Sequence, residues 1–170
     1  MNLRDRISDY PNFPKKGIIF RDFSPMLRDP SAMSTIADEF SRHYNPNDVD
    51  LFAGIDARGF ILACMLAIRY NKGMIMIRKA GKLPGKTAKS TYTTEYSRDT
   101  MEIQQDAISG KQRVIICDDM LATGGTAMTS AKLVEKIGGV VAGFAFIIEL
   151  TELNGIKKID GYTCKSLVKY

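Results

Sequence analysis

The sequence predicts an α/β fold: a single domain over residues 1–170, with a central, mostly parallel twisted sheet flanked by helices. Two observations carry this. Apolar strands alternate with helical segments along the chain, and those strands are continuous apolar runs, as in a sheet covered on both faces. At 170 residues, with 45% hydrophobic and 25% charged residues, the chain can bury one core of that kind.

The elements follow in order. Ser31, after Asp29-Pro30, caps a helix whose apolar face is Met33, Ile36, Ala37, Phe40 and Tyr44. Asp50 to Ile55 is a short strand. Gly59 to Tyr70 is a helix apolar nearly all round, which predicts that it is buried, and Gly73 ends it. Met74 to Ile77 and Gln112 to Cys117 are further strands. A glycine-containing turn then opens a helix with Ala127, Ala131, Val134 and Ile137 inward. Gly138-Gly139 stops it, and Val140 to Ile148 is a fourth strand. Two segments stand outside this alternation. Tyr10 to Leu27 is rich in Pro, Phe and Gly, and Lys79 to Arg98 is polar and basic with few core residues. A structureless stretch as long as the second predicts a functional loop.

The longest apolar run, Gly59 to Ile68, is flanked by Arg58 and Arg69 and is too short to span a bilayer. The charged N-terminus lacks the apolar stretch of a signal peptide, so a cytoplasmic location is expected and no membrane partner. Cys64, Cys117 and Cys164 are far apart and odd in number, which suits a reducing compartment. A net charge of +5 fits either an anionic partner or a mildly basic surface. His43, the single histidine, has no chemical partner in sequence.

The strongest signal is Val114 to Thr126, Val-Ile-Ile-Cys-Asp-Asp-Met-Leu-Ala-Thr-Gly-Gly-Thr. An apolar strand runs into Asp118 and Asp119, then into small residues that open a helix. Ala122, Thr123, Gly124, Gly125 and Thr126 let backbone N–H groups approach an anion, and the helix dipole favours negative charge there. Two carboxylates beside a phosphate would repel it, so they face sugar hydroxyls or a divalent cation. A phosphorylated ribose has both ends this requires.

The segment resembles the motif of type I phosphoribosyltransferases that binds 5-phosphoribosyl-1-pyrophosphate (PRPP). The resemblance implies that Asp118 and Asp119 hold the ribose 2′- and 3′-hydroxyls and that Ala122 to Thr126 bind the 5′-phosphate. It implies substrate-bound Mg2+, with Asp118 as a contact directly or through water. The implied fold adds a small N-terminal hood, residues 1–30, and a mobile catalytic loop, residues 79–98.

Pro11-Asn12-Phe13-Pro14 and Gly17 to Pro25 look like the N-terminal signature of the adenine-specific members. By that resemblance Phe20 lies on one face of the base and Met120 near the other, while backbone groups around Ile19 and Arg21 read its edge. Ala53 to Phe60 resembles the family's pyrophosphate loop, with Ala57 and Arg58 at the leaving group and a non-proline cis peptide at Asp56–Ala57. Arg78 to Gly85, continuing through Tyr92 to Tyr96 and Met101 to Gln104, looks like the catalytic loop and its return strand. There Lys79 and Lys82 offset pyrophosphate charge and Glu95 handles the purine proton. Relatives frequently have Ser where this chain has Ala57, and a basic residue where it has Ala80. Ala80 to Thr87 also matches a loose P-loop pattern, but Pro84 inside it and the absence of a following helical stripe reject that reading.

The expected reaction is therefore adenine plus PRPP giving AMP and pyrophosphate, in a homodimer by resemblance and with no nucleic-acid partner. The rivals are transfer to hypoxanthine, guanine, xanthine or orotate, and a PRPP-sensing RNA-binding regulator on the same fold.

Overall fold

A computed structural model describes residues 1–93 and 97–170. After a 3-10 turn, β1 (Ser8–Pro11) and β2 (Ile19–Asp22) form an antiparallel pair of their own. Then follow α1 (Ser24–Leu27), α2 (Pro30–His43), β3 (Leu51–Ile55), α3 (Gly59–Tyr70) and β4 (Gly73–Lys79). Next come β5 (Thr87–Thr93), β6 (Arg98–Gln104), β7 (Arg113–Leu121), α4 (Gly125–Lys136), β8 (Val140–Glu149) and β9 (Cys164–Lys169). The second sheet has seven strands in the order β5-β6-β4-β3-β7-β8-β9. β4, β3, β7, β8 and β9 run parallel, and the β5–β6 hairpin joins β4 antiparallel.

Alternation along the strands divides the interior into two cores. Ile115, Cys117, Ala145 and Ile147 face α2 and α3, where Ile36, Phe40, Leu62 and Leu66 are fully buried. Val114, Ile116, Phe144 and Phe146 face α4, against Ala131, Leu133 and Val134. Both faces are covered, which is why the parallel strands read as unbroken apolar runs.

Several local expectations are corrected. Asp29, not Ser31, caps α2: its carboxylate accepts from the N–H of Ser31 at 2.9 Å and of Ala32 at 3.4 Å. Pro30 at the first helical position sets that earlier start. α3 is buried along only one face, through Leu62, Ala63, Leu66, Ala67 and Tyr70, while Ile68 is 77% exposed. Asn71, left-handed at φ 53°, ends α3, and Gly73 begins β4. The stretch from Lys79 to Arg98 is not structureless, because Thr87–Thr93 pairs with β6 over its whole length. That strand also leaves no helix after Gly85-Lys86-Thr87, in keeping with the rejected P-loop.

The topology locates the site. From β3 the chain crosses through α3 to β4 on one side, whereas β7 leads through α4 to β8 on the other. A crevice opens beyond the carboxyl ends of β3 and β7, where the winding reverses, and ligands of such sheets bind there.

Candidate active site

Two turns close over this crevice. From β3 the chain enters Asp56, Ala57 and Arg58, with a cis peptide at Asp56–Ala57, before α3 begins. From β7 it passes Asp118, Asp119 and Met120 into the glycine turn before α4. Gly59 lets the two meet: a Cβ there would lie 2.5 Å from the Cys117 carbonyl oxygen and 3.1 Å from Asp118 Oδ1.

The register also explains Asp56. Ile55 pairs with Ile77 in the parallel β3–β4 ladder, so the residues that follow them, Asp56 just past β3 and Arg78 on β4, are neighbours. Arg78 Nε donates to Asp56 Oδ2 at 3.0 Å, and Lys82 Nζ lies 3.5 Å from the same oxygen. This carboxylate, almost wholly buried, anchors the start of the basic loop to the turn that carries Arg58.

Arg58 is the hub. Its Nη2 lies 3.0 Å from Asp119 Oδ2, and its guanidinium sits 5.2 Å from the centroid of the Phe20 ring. Asp119 Oδ2 is buried and, beyond this ion pair, has no hydrogen-bond partner among the described residues, so it keeps acceptor capacity for a ligand hydroxyl. Burial raises the Asp118 carboxyl well above the usual range, and the charge of Asp119 pushes it further the same way, with Arg58 opposing. A cation or sugar hydroxyls arriving here would relieve that pair.

A cavity of about 410 Å³ is lined by Ala57, Arg58, Lys79, Asp118, Asp119 and Thr126 among others. Beside it lies a smaller pocket of about 80 Å³, formed by Asp118, Met120 and Ala122 to Thr126. Gly124 is left-handed at φ 82° and caps α4, as a backbone cradle for an anion requires.

An adjoining cavity and glycine cradle on an α/β sheet are open to many phosphorylated ligands, and likeness to known proteins narrows them. The phosphoribosyl transferase domain model matches residues 28–168. An adenine phosphoribosyltransferase of Nitrosopumilus maritimus is 71% identical, with the whole of both chains covered. The chain belongs to the adenine phosphoribosyltransferases. Two crystal structures of the family superpose closely on it. That from Thermoanaerobacter pseudethanolicus has a TM-score of 0.94 at 45% identity, covering 99% of this chain and 98% of that one. That from Saccharomyces cerevisiae, complexed with an iminoaltritol bisphosphate and adenine, has a TM-score of 0.92 at 38% identity, covering 97% and 96%.

Of the residues that resemblance to the adenine phosphoribosyltransferases singles out, the fold gathers most but not all. Ala57, Arg58, Lys79, Asp118, Asp119 and Thr126 share the larger cavity, and Met120, Ala122, Thr123, Gly124 and Gly125 share the smaller. Lys82 pairs with Asp56 instead. Phe20 lines neither space and meets the crevice through Arg58, with Phe13 packed edge-on against its ring. Ile19 is half exposed on β2. The Arg21 side chain turns to Asp9 and the Tyr170 ring. Glu95 lies outside the described residues. Sequence reasoning missed Asp56, Tyr92 and Asp99 as cavity walls. Asp56 and Tyr92 lay inside quoted motifs without being given a role, whereas Asp99, in a polar hairpin, carried no signal.

Proposed function

We propose that this crevice is where PRPP and adenine react, with the phosphate in the glycine cradle and the base beside Phe20. As a family member the chain is a glycosyltransferase that converts adenine and PRPP to AMP and pyrophosphate, a purine-salvage reaction. One observation carries the placement: Asp118 and Thr126 line both the large cavity and the small one, so a single molecule can span the two.

In this reading the amides of Ala122 to Thr126 hold the 5′-phosphate, and Asp118 and Asp119 accept from the ribose hydroxyls. Asp119 Oδ2, paired with Arg58 but without a hydrogen-bond donor among the described residues, supports that role. Ala57 backbone, Arg58 and Lys79 balance the charge of departing pyrophosphate as the anomeric carbon becomes cationic, and N9 of adenine attacks from the opposite face. Phe20 and Met120 flank the base. Backbone groups of Ile19 and Arg21 read its edge, and Glu95 assists the loss of its proton through N7.

Mg2+ fits this site as a substrate-held ion. Among the described residues no cluster of three ligating side chains occurs, but the Asp118–Asp119 pair is a compact carboxylate pole beside the cavity. Asp118 would touch the ion directly or through water, and the ion would neutralise pyrophosphate charge.

A homodimer is part of the same proposal, supported by the outward face of α3, where Ile61, Cys64 and Ile68 are exposed. So is a cytoplasmic setting, supported by three free thiols; no described helix is long and apolar enough to cross a membrane.

The test is AMP formation from PRPP and Mg2+ with each of adenine, hypoxanthine, guanine and orotate. Adenine is expected to be preferred by at least about a thousandfold in kcat/KM, since a 6-oxopurine would cover the edge-reading groups and leave them unpaired. Comparable turnover of hypoxanthine or guanine would retain the PRPP site and overturn the roles given to residues 19–21.

A further inference from the structure

Tyr92 has no part in the reading above, yet it lies across the phosphate cradle. Its hydroxyl is 3.0 Å from Thr126 Oγ1. Its ring covers Gly125 so closely that a Cβ there would sit 3.3 Å from Tyr92 Cδ2 and 3.4 Å from Cε2. Lys136 Nζ, at the far end of α4, donates to the Lys89 carbonyl at 3.0 Å, which binds β5 to the same helix a second time. Tyr92 also lines the larger cavity with Arg58 and Asp118.

Hydroxyl chemistry gives this contact a direction. Each hydroxyl has one hydrogen to donate and two lone pairs. A phosphate dianion only accepts, so Thr126 helps it only when the Thr126 hydrogen points into the cradle. A phenol, ordinarily ionising near pH 10, is a stronger donor than an aliphatic hydroxyl. Tyr92 donating to a Thr126 lone pair leaves the Thr126 hydrogen free for the phosphate.

We propose that Tyr92 is a positioning residue for the 5′-phosphate: it donates to Thr126 and thereby aims the Thr126 hydroxyl at the phosphate. This rests on the placement of the 5′-phosphate at Ala122 to Thr126. It assigns a specific substrate-binding duty to one side chain of a segment that the sequence marks only as a functional loop.

The test uses Tyr92→Phe, which keeps the ring on Gly125 and removes only the hydroxyl. The KM for PRPP and the Kd for AMP are expected to rise about tenfold, with kcat within about twofold and the KM for adenine unchanged. Thermal stability serves as the control and should fall by no more than about 4 °C, the cost of one part-buried hydrogen bond. Thr126→Val should raise the KM for PRPP on its own, and adding Tyr92→Phe to it should change nothing further. An unchanged KM for PRPP in Tyr92→Phe overturns the proposal. So does an undiminished effect of Tyr92→Phe in the Thr126→Val background, or a parallel fall in kcat and thermal midpoint beyond those limits. If instead Thr126→Val leaves PRPP and AMP binding untouched in an active enzyme, the phosphate placement itself fails and takes this inference with it.

Discussion

Arg58→Ala is expected to lower kcat/KM for PRPP by about a hundred- to a thousandfold, the scale seen when one donor to developing charge is removed. The reason is that Arg58 faces three groups at once. It pairs with Asp119, lies over Phe20 and, in the proposed reading, meets the leaving pyrophosphate. Alanine removes the cation from pyrophosphate and also leaves the buried Asp119 carboxylate without its ionic partner. Because Phe20 loses its neighbour, the KM for adenine should rise as well. Arg58→Lys should recover only part of the rate, since a lysine cannot reach Asp119 and cover the ring with one planar group. Steady-state kinetics with each substrate varied separately provide the check. If only the KM for PRPP changed, Arg58 would be a pyrophosphate contact and nothing more.

Gly155→Ala is the second large effect, and it arises about thirty residues from the cradle in sequence. Gly155 opens a short 3-10 turn that packs under the phosphate loop. A Cβ on it would fall 2.2 Å from the Ala122 carbonyl oxygen and 3.0 Å from the Gly124 nitrogen. The approach is mutual, because a Cβ on Gly124 would lie 2.5 Å from the Gly155 carbonyl oxygen. These contacts are to backbone and cannot be relieved by a rotamer change, so the loop itself must move. Overpacking of this kind costs about 1–3 kcal/mol. For a chain of this length that is a drop in thermal midpoint of roughly 3–9 °C. The moved amides are those assigned to the phosphate, so the KM for PRPP should rise at least about tenfold, while Gly161→Ala, strained at φ 91° but meeting nothing within 4 Å, should cost stability and leave the KM unchanged. Calorimetry and PRPP titration read the two arms separately. A normal KM in a destabilised Gly155→Ala protein would show that the cradle does not depend on this contact.

Both effects bear on what the sequence could disclose. The buried strands and the helices following them were legible because each is a local pattern: β7 is an apolar run ending in two carboxylates, and α4 starts at a glycine pair. The β5–β6 hairpin was not, because Thr87 to Thr93 has only Ala88 buried and so offers little periodic apolar signal. β9 is a short strand at the edge of the sheet with equally weak alternation. Helix boundaries slipped where a competing residue stood nearby, as with Asp29 before Pro30 and Asn71 before Gly73. The site followed the same division. Arg58, Asp118, Asp119 and the glycine cradle sit in contiguous motifs, whereas Gly155 and Tyr92 matter through contacts that only the folded chain makes. The buried pairing of Asp56 with Arg78 belongs with them, since it needs the strand register.

The most direct test of the central claim is a crystal structure of the protein with AMP. The phosphate should lie within hydrogen-bond distance of the amides of Ala122 to Thr126, with the ribose hydroxyls on Asp118 and Asp119. The adenine ring should pack between Phe20 and Met120, its edge facing the backbone of Ile19 and Arg21. A nucleotide bound with its base away from β2, or with its phosphate outside the turn between β7 and α4, would contradict the account.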